Sequence, residues 1–303
     1  MTETTQHDSR PLQGLRIGFA GLGLMGRPMA LHLLHAGANL HLWNRSRGVA
    51  EAMLRPGITL CDTPADLGRA STIVVLMLGD TAAVEQVLYG PDGLASGLQP
   101  GGVLIDMGTT AVMATRTLAE RLAQQGVAYV DAPVSGGEIG ARDASLTIMA
   151  GGDDAVIARV RPLFDVLGRQ FTHVGAVGAG QVAKAANQII VGLNIGAVAE
   201  ALALVKAAGV DPQKVRQALL GGFAGSRILE VHGQRMIDGT FQPGARASTQ
   251  FKDMRQASEL GELLDQPLPA TRLSMSLFRQ LIEQGDGDLD HSALIRVLRR
   301  AHD

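Results

Sequence analysis

A single cysteine in 303 residues, Cys61, excludes an intramolecular disulfide, and no cluster of Cys and His at ligand spacing suggests a metal site. A reducing, cytoplasmic compartment and no bound metal are therefore expected. A large excess of charge of either sign is missing too. Lys plus Arg number 27 and Asp plus Glu 29, a formal net charge of −2, so no bulk positive field exists to hold a nucleic acid. Aromatic residues make up 3% and charged residues 18% against 46% hydrophobic, a balance that excludes a largely disordered chain. Residues 1–14 (MTETTQHDSRPLQG) lack the apolar core of a secretory signal and are expected to be a flexible leader. The long apolar stretch 179–209 is interrupted by Lys184, Asn187, Gln188, Asn194, Glu200 and Lys206, which predicts a buried helix and no membrane span.

What the chain has in excess is glycine, 38 residues, and it falls at the ends of short β-rich runs. Eight such runs (15–21, 38–44, 58–61, 71–78, 101–107, 128–134, 145–152 and 171–175) alternate with helical stretches up to Gly175. That alternation is the pattern of βαβ units and predicts an α/β domain on one doubly wound parallel sheet. After Gly178 the strands stop. A helix over 179–208 is followed by helical segments starting near Asp211, Gly225, Ser248, Pro269 and His291. The glycine-rich turn 174–180 separates the two patterns, so the sequence divides into a domain over 15–177 and an all-helical domain over 178–303, linked by the long helix. The site is expected in the cleft between them.

Gly21-Leu22-Gly23-Leu24-Met25-Gly26 follows the first strand directly and opens a helix. In that setting the glycines permit a tight turn and close approach of backbone to a pyrophosphate at the helix N-terminus, the Rossmann arrangement for a dinucleotide. The second strand ends in Asn44-Arg45-Ser46-Arg47, where NAD sites usually place a carboxylate for the ribose 2′-hydroxyl. An amide and two guanidinium groups there favour NADP, with NAD possible. Asp131-Ala132-Pro133-Val134-Ser135-Gly136-Gly137 ends the sixth run at the carboxyl edge of the sheet. A hydroxyl with two unshielded backbone amides suits a small carboxylate, although the spacing equally suits an ordinary strand-to-helix turn. Lys184, with Asn187 and Gln188 three and four positions on, lies on one face of an otherwise apolar helix. A lysine held there is a candidate proton donor and acceptor at a carbonyl oxygen. Lys252-Asp253, taken alone, reads as a solvated helix face.

These four motifs, in this order over roughly 15–298, resemble the β-hydroxyacid dehydrogenase family, which includes 3-hydroxyisobutyrate dehydrogenase and 6-phosphogluconate dehydrogenase. The segments 184–202, 221–229 (GGFAGSRIL), 241–246 (FQPGAR) and 290–294 (DHSAL) look most like members that reduce a three-carbon aldehyde acid, 2-hydroxy-3-oxopropionate, to glycerate. The resemblance implies an oxidoreductase interconverting a short 3-hydroxy acid and its aldehyde acid, with 3-hydroxyisobutyrate or another short 3-hydroxy acid as the alternative substrate. It implies Lys184 as general acid/base, Ser135, Gly136 and Gly137 on the substrate carboxylate, and Asn187 orienting the substrate. It further implies cofactor contacts from Leu24, Met25, Leu78, Thr109 and Lys252, the last also near the substrate. A non-catalytic NADP-binding scaffold would keep the glycine loop but would need neither Lys184 nor Ser135. The helices after Asp211 carry more apolar surface than one small domain buries, so a homodimer or homotetramer is expected.

Overall fold

The computed structural model describes residues 10–299. β1 (Arg16–Ala20), α1 (Gly26–His35), β2 (Asn39–Trp43), α2 (Arg47–Glu51), β3 (Ile58–Leu60), α3 (Pro64–Ala70), β4 (Ile73–Leu76), α4 (Thr81–Tyr89), β5 (Val103–Asp106), α5 (Val112–Ala123) and β6 (Ala128–Asp131) alternate strand with helix. The strands are parallel in the order β3-β2-β1-β4-β5-β6, the doubly wound order, which reverses direction beside β1. β4 and β5 are buried along their whole length, as strands covered by helices on both faces must be. Alternate side chains separate accordingly: Ile73 and Val75 pack with Phe19 and Leu33, whereas Val74 and Leu76 pack with Leu67 and Leu88.

The remainder of the sheet departs from the all-parallel expectation. After β6 the chain forms β7 (Val134–Ser135), α6 (Gly137–Arg142), β8 (Leu146–Gly151), α7 (Asp154–Leu167) and β9 (Gly168–Gly175). β8 runs antiparallel to β6 and to β7, and β9 pairs parallel to β8, giving a mixed sheet of nine strands rather than eight parallel ones. The added strand is β7, two residues long and too short to announce itself by alternation; it pairs antiparallel with β8 across the connection that carries α6. One residue of the segment 1–14, expected to be flexible, packs into the core. Residues 1–9 lie outside the described residues, but Leu12 is fully buried among Phe19, Leu33 and Leu40, with its N–H donating to the Ala36 carbonyl at 3.0 Å.

Helices follow: α8 (Ala179–Ala207), α9 (Pro212–Leu220), α10 (Arg227–Asp238), α11 (Ala247–Leu263), α12 (Pro269–Leu281) and α13 (Ile295–Arg299). Side chains of Asp211 and Ser226 accept from the first-turn amides of α9 and α10, supplying the caps that helix starts require. Their core gathers Ile195, Leu202, Leu229, Met236, Met254, Phe278 and Leu294. The chain divides into two compact units, one ending at Lys184 and the other beginning at Ala185, so the division falls inside α8. By length and composition α8 is apolar enough to cross a membrane. Its Gln181, Lys184 and Gln188 side chains are buried in hydrogen bonds to protein, so that one face of α8 is held by polar contacts within the chain.

Within the second unit, Asp290 is fully buried and accepts from Arg235 (2.6 Å), the Gly244 and Ala245 amides, and the Ser292 amide and hydroxyl. Burial works to raise its carboxyl, but the His232 side chain, the charge of His291 and the Ser292 hydroxyl and amide hold it far below the usual carboxylate range. His232, Asp290 and His291 come close enough to suggest a metal cluster that the sequence did not. Asp290's oxygens are already taken, one of them by a guanidinium, so the group anchors the 241–246 loop. As a check on the position of Leu12, Leu12→Ala should lower unfolding stability by ~2–5 kcal/mol in a urea titration, the range for emptying a buried leucine site; a change within error would place Leu12 outside the core.

Candidate active site

The first unit brings the glycine loop to the carboxyl end of β1, and its three glycines serve three different needs. Gly21 has φ +97°, and a Cβ there would lie 2.3 Å from the Met77 carbonyl oxygen of the neighbouring strand's end. A Cβ on Gly26 would lie 1.8 Å from the Gly21 oxygen, so only glycine lets α1 start so close to the loop. Gly23, by contrast, faces open space, with nothing within 4 Å of a Cβ. It is the exposed crest of the turn, flanked by exposed Leu24 and half-buried Met25. Such a crest leaves room for a pyrophosphate against the start of α1, so the residues present fit a dinucleotide.

At the end of β2, Asn44 is not simply an absent carboxylate. Its Oδ1 accepts from the Leu22 N–H at 2.9 Å and its Nδ2 donates to the Ser46 carbonyl at 2.9 Å, so it ties the glycine loop to the second strand. The two arginines beside it differ. Arg47 is already neutralised by Asp62 (2.5 Å) and Glu51 (2.9 Å), which raises its pKa and corrects the expectation that both guanidinium groups await an anion. Arg45 is exposed and makes no ion pair among the described residues. Both line a cavity of about 240 Å³ together with Trp43, Asn44, Cys61 and Thr63. Burial pushes the Cys61 thiol up to about 11, so this cysteine stays a protonated wall. Leu78, half-buried, follows β4, and half-buried Thr109 follows β5.

Ser135 sits on β7 opposite Thr147, its hydroxyl unengaged among the described residues. Gly136 and Gly137 then take φ values of +130° and +61°, which turns the chain from β7 into α6. Lys184, buried, reaches this same segment, donating from Nζ to the Val134 carbonyl at 2.8 Å. The lysine and the serine loop, 50 residues apart in sequence, are therefore neighbours within one unit.

Two groups that the sequence reading left without a role appear here. Asp106 and Asp131 are register partners on β5 and β6, both fully buried. Asp106 accepts from the Gly108 amide, the Thr110 hydroxyl (2.5 Å) and the Tyr129 hydroxyl (3.1 Å). Asp131 accepts from the Gly178 and Gln181 amides at the start of α8, at 2.7 and 2.8 Å. Burial pushes its carboxyl up to about 7, Asp106 adding to the rise and the two amides opposing it. The signal available in the sequence was an acidic residue closing each of two adjacent buried strands.

In the second unit, Gln188 donates to Gln250 (3.2 Å) and to Asp253 (2.6 Å), Gln250 donates to the Gln188 carbonyl (3.0 Å), and Asn187 donates to Gln188 Oε1 (2.7 Å). Lys252 pairs with Asp253 at 2.8 Å. Asp253 is 4% exposed, so this pair is no solvated helix face: α11 turns it inward onto the amides of α8. Gly192 permits that approach, since a Cβ there would meet Met254 Sδ at 2.3 Å.

A glycine cradle at the switch point of a doubly wound sheet, in the same unit as a buried lysine, defines a dinucleotide-dependent oxidoreductase. Residues 16–175 match the family model described as the NAD binding domain of 6-phosphogluconate dehydrogenase, and residues 178–298 match that of NADP-dependent 3-hydroxyisobutyrate dehydrogenase. The chain is 46% identical to 2-hydroxy-3-oxopropionate reductase of Escherichia coli over 284 residues, covering 94% of this chain and 97% of that one. A solved 3-hydroxyisobutyrate dehydrogenase from Salmonella typhimurium superposes with a TM-score of 0.85 at 27% identity, covering 93% of this chain and 99% of the other. Psf3, solved in complex with NADP+ and 2-OPP, gives the same TM-score and identity over the same shares of the two chains. The chain belongs to the β-hydroxyacid dehydrogenase family and is an NAD(P)-binding enzyme of its 3-hydroxyisobutyrate dehydrogenase-like branch.

The glycine geometry separates folding from cofactor binding. Gly26→Ala should lose ~1–3 kcal/mol of stability through overpacking. Gly23→Ala should keep the wild-type Tm yet raise the dinucleotide Kd about tenfold or more, one lost charge-assisted contact. Thermal melts and cofactor titrations of both variants read the two effects; equal loss of Tm would contradict the division.

Proposed function

We propose that the enzyme reduces 2-hydroxy-3-oxopropionate to glycerate, reversibly, with NADPH as the preferred dinucleotide. The observation that carries the reading is the Lys184 ammonium donating 2.8 Å to the Val134 carbonyl, next to a serine whose hydroxyl is unengaged among the described residues. A proton donor and an anion-binding hydroxyl side by side are what a carbonyl carrying a carboxylate needs. Ser135 and the amides of Gly136 and Gly137 hold the carboxylate, Asn187 orients the substrate, and Lys184 protonates the carbonyl oxygen as it gains charge. When bound, the dinucleotide supplies the two reducing electrons. Gly21, Gly23, Leu24, Met25, Gly26, Leu78, Thr109 and Lys252 hold it, with Asn44, Arg45 and Ser46 at its ribose. Similarity to the E. coli reductase over nearly the whole length supports the three-carbon substrate.

The NADP preference rests on Arg45, the cation at the end of β2 that has no carboxylate partner among the described residues. For the assembly we propose a homodimer or homotetramer in the cytoplasm. Its support is apolar surface left in water: Ile190 is 61% exposed, Leu204 72% and Phe223 fully so, the last beside an apolar groove that also holds Val198, Leu202 and Leu219.

A panel of three- and four-carbon aldehyde acids, assayed with NADPH and with NADH, tests the proposal directly. 2-Hydroxy-3-oxopropionate with NADPH should give the highest kcat/KM, and a higher value for the methyl-substituted four-carbon acid would move the assignment to 3-hydroxyisobutyrate. Lys184→Ala should lower kcat by ~10²–10⁴ while leaving cofactor affinity intact. Turnover within a few-fold of wild type would remove the lysine from the chemistry. Arg45→Ala should raise the NADPH Kd about ten- to 150-fold and the NADH Kd less than about threefold. Trp43, the only tryptophan, lines the cavity with Arg45 and serves as the fluorescent reporter. Equal weakening of both cofactors would refute the 2′-phosphate role.

A further inference from the structure

We infer that Asp131 and Gln181 are positioning residues for the reaction: together they lock the first turn of α8, and with it the Lys184 ammonium, to the loops that carry Ser135 and Thr109. The inference rests on the assignment of Lys184 made above.

The bonds close on themselves. Asp131, at the end of β6, accepts from the Gly178 and Gln181 amides. Three residues beyond Asp131 is Val134, whose carbonyl receives Lys184 Nζ, and three residues beyond Gln181 is Lys184 itself. Strand end, serine segment, lysine and helix start thus form one ring of covalent and hydrogen bonds. The Gln181 side chain adds a second tie: its Nε2 donates to the Gly108 carbonyl at 3.0 Å and its Oε1 accepts from the Thr110 amide at 3.2 Å, bracketing Thr109.

Nothing in this joint is loose. A Cβ on Gly180 would lie 2.4 Å from the Met149 carbonyl and 2.7 Å from that of Asp131, and one on Gly151 would lie 2.7 Å from Asp131 Oδ1. Gly178 takes φ +91° to present its amide. Three glycines from two segments therefore make room for one carboxylate. Its two oxygens each receive one N–H, which an asparagine reproduces at one oxygen only, its NH₂ facing the other amide. Asp106 and Tyr129 are the titratable groups packed beside it from β5 and β6, and neither replaces it at the helix start. Displacements near 1 Å at a reacting group can cost about 10²-fold in rate, so a carboxylate that fixes the helix register acts on turnover without touching substrate.

The test is a double-mutant cycle on the full-length enzyme, read by single turnover with enzyme in excess. Asp131→Asn and Gln181→Met should each lower the rate by roughly 10–100-fold, with the dinucleotide Kd, titrated separately, changed less than about threefold in Asp131→Asn, whose side chain does not touch the Thr109 loop. In a Lys184→Ala background the same substitutions should cost less than about threefold, because the group they position is gone. Hydrogen exchange gives a readout independent of activity: amides 178–184 should exchange faster in both variants while those of β1 and β4 do not. Equal losses with and without Lys184, or wild-type turnover in folded variants, would overturn the inference and leave the lysine assignment standing. Wild-type turnover in Lys184→Ala alone would overturn both. If Asp131→Asn does not fold, Gln181→Met, which removes no helix cap, carries the test.

Discussion

A carboxylate buried at the end of β6, accepting the first amides of α8, decides where the longest helix of the chain begins. The cost of removing Asp131 from water is offset by two backbone N–H groups at the positive end of a 29-residue helix. Burial still outweighs the two amides and pushes its carboxyl up to about 7. From this joint follow the glycines at 151, 178 and 180, the placement of Lys184 against Val134, and the division of the chain after Lys184 rather than before α8. The first turns of α8 belong to the sheet because they are bonded to it.

The same economy of backbone governs the dinucleotide cradle. Gly21 and Gly26 are required by contacts within the protein, and Gly23 alone is open outward. Asn44 adds a polar strut between β2 and the loop, so the residue that distinguishes this cradle from one with a carboxylate also holds it in shape. Arg47 illustrates the limit of reading charge from a segment: a cation at a helix start wants an anion, and this chain supplies Asp62 from beyond β3 and Glu51 from the same helix.

In the second unit polar residues are buried as connected groups. Gln188, Gln250 and Asp253 satisfy one another across α8 and α11, and Asp290 gathers donors from α10 and from the two loops that meet at Arg246 and Asp290. Each cluster fixes helices that apolar packing alone would leave free to slide, since interdigitated aliphatic side chains tolerate shifts that a hydrogen-bond network does not. Apolar surface on α8 and at Phe223 remains outside this core.

Local pattern was enough to mark the strands, the helical half, the glycine loop and the lysine, because each follows from the period of apolar residues or from a turn chemistry complete within about seven positions. Strand β7, the buried state of Lys252-Asp253 and the burial of Leu12 depend on what packs against them from elsewhere in the chain, and no window of sequence contains that partner. The carboxylates show the division most clearly. Asp131 and Gln181 stood inside motifs that could be read, but 50 residues separate them, and a hydrogen bond between them exists only once β6 and the start of α8 have been brought together. Residue type and spacing determined which groups are available for chemistry; tertiary structure decided which are already used by one another, as Arg47 is and, among the described residues, Arg45 is not, because pairing depends on distance through space and not along the chain.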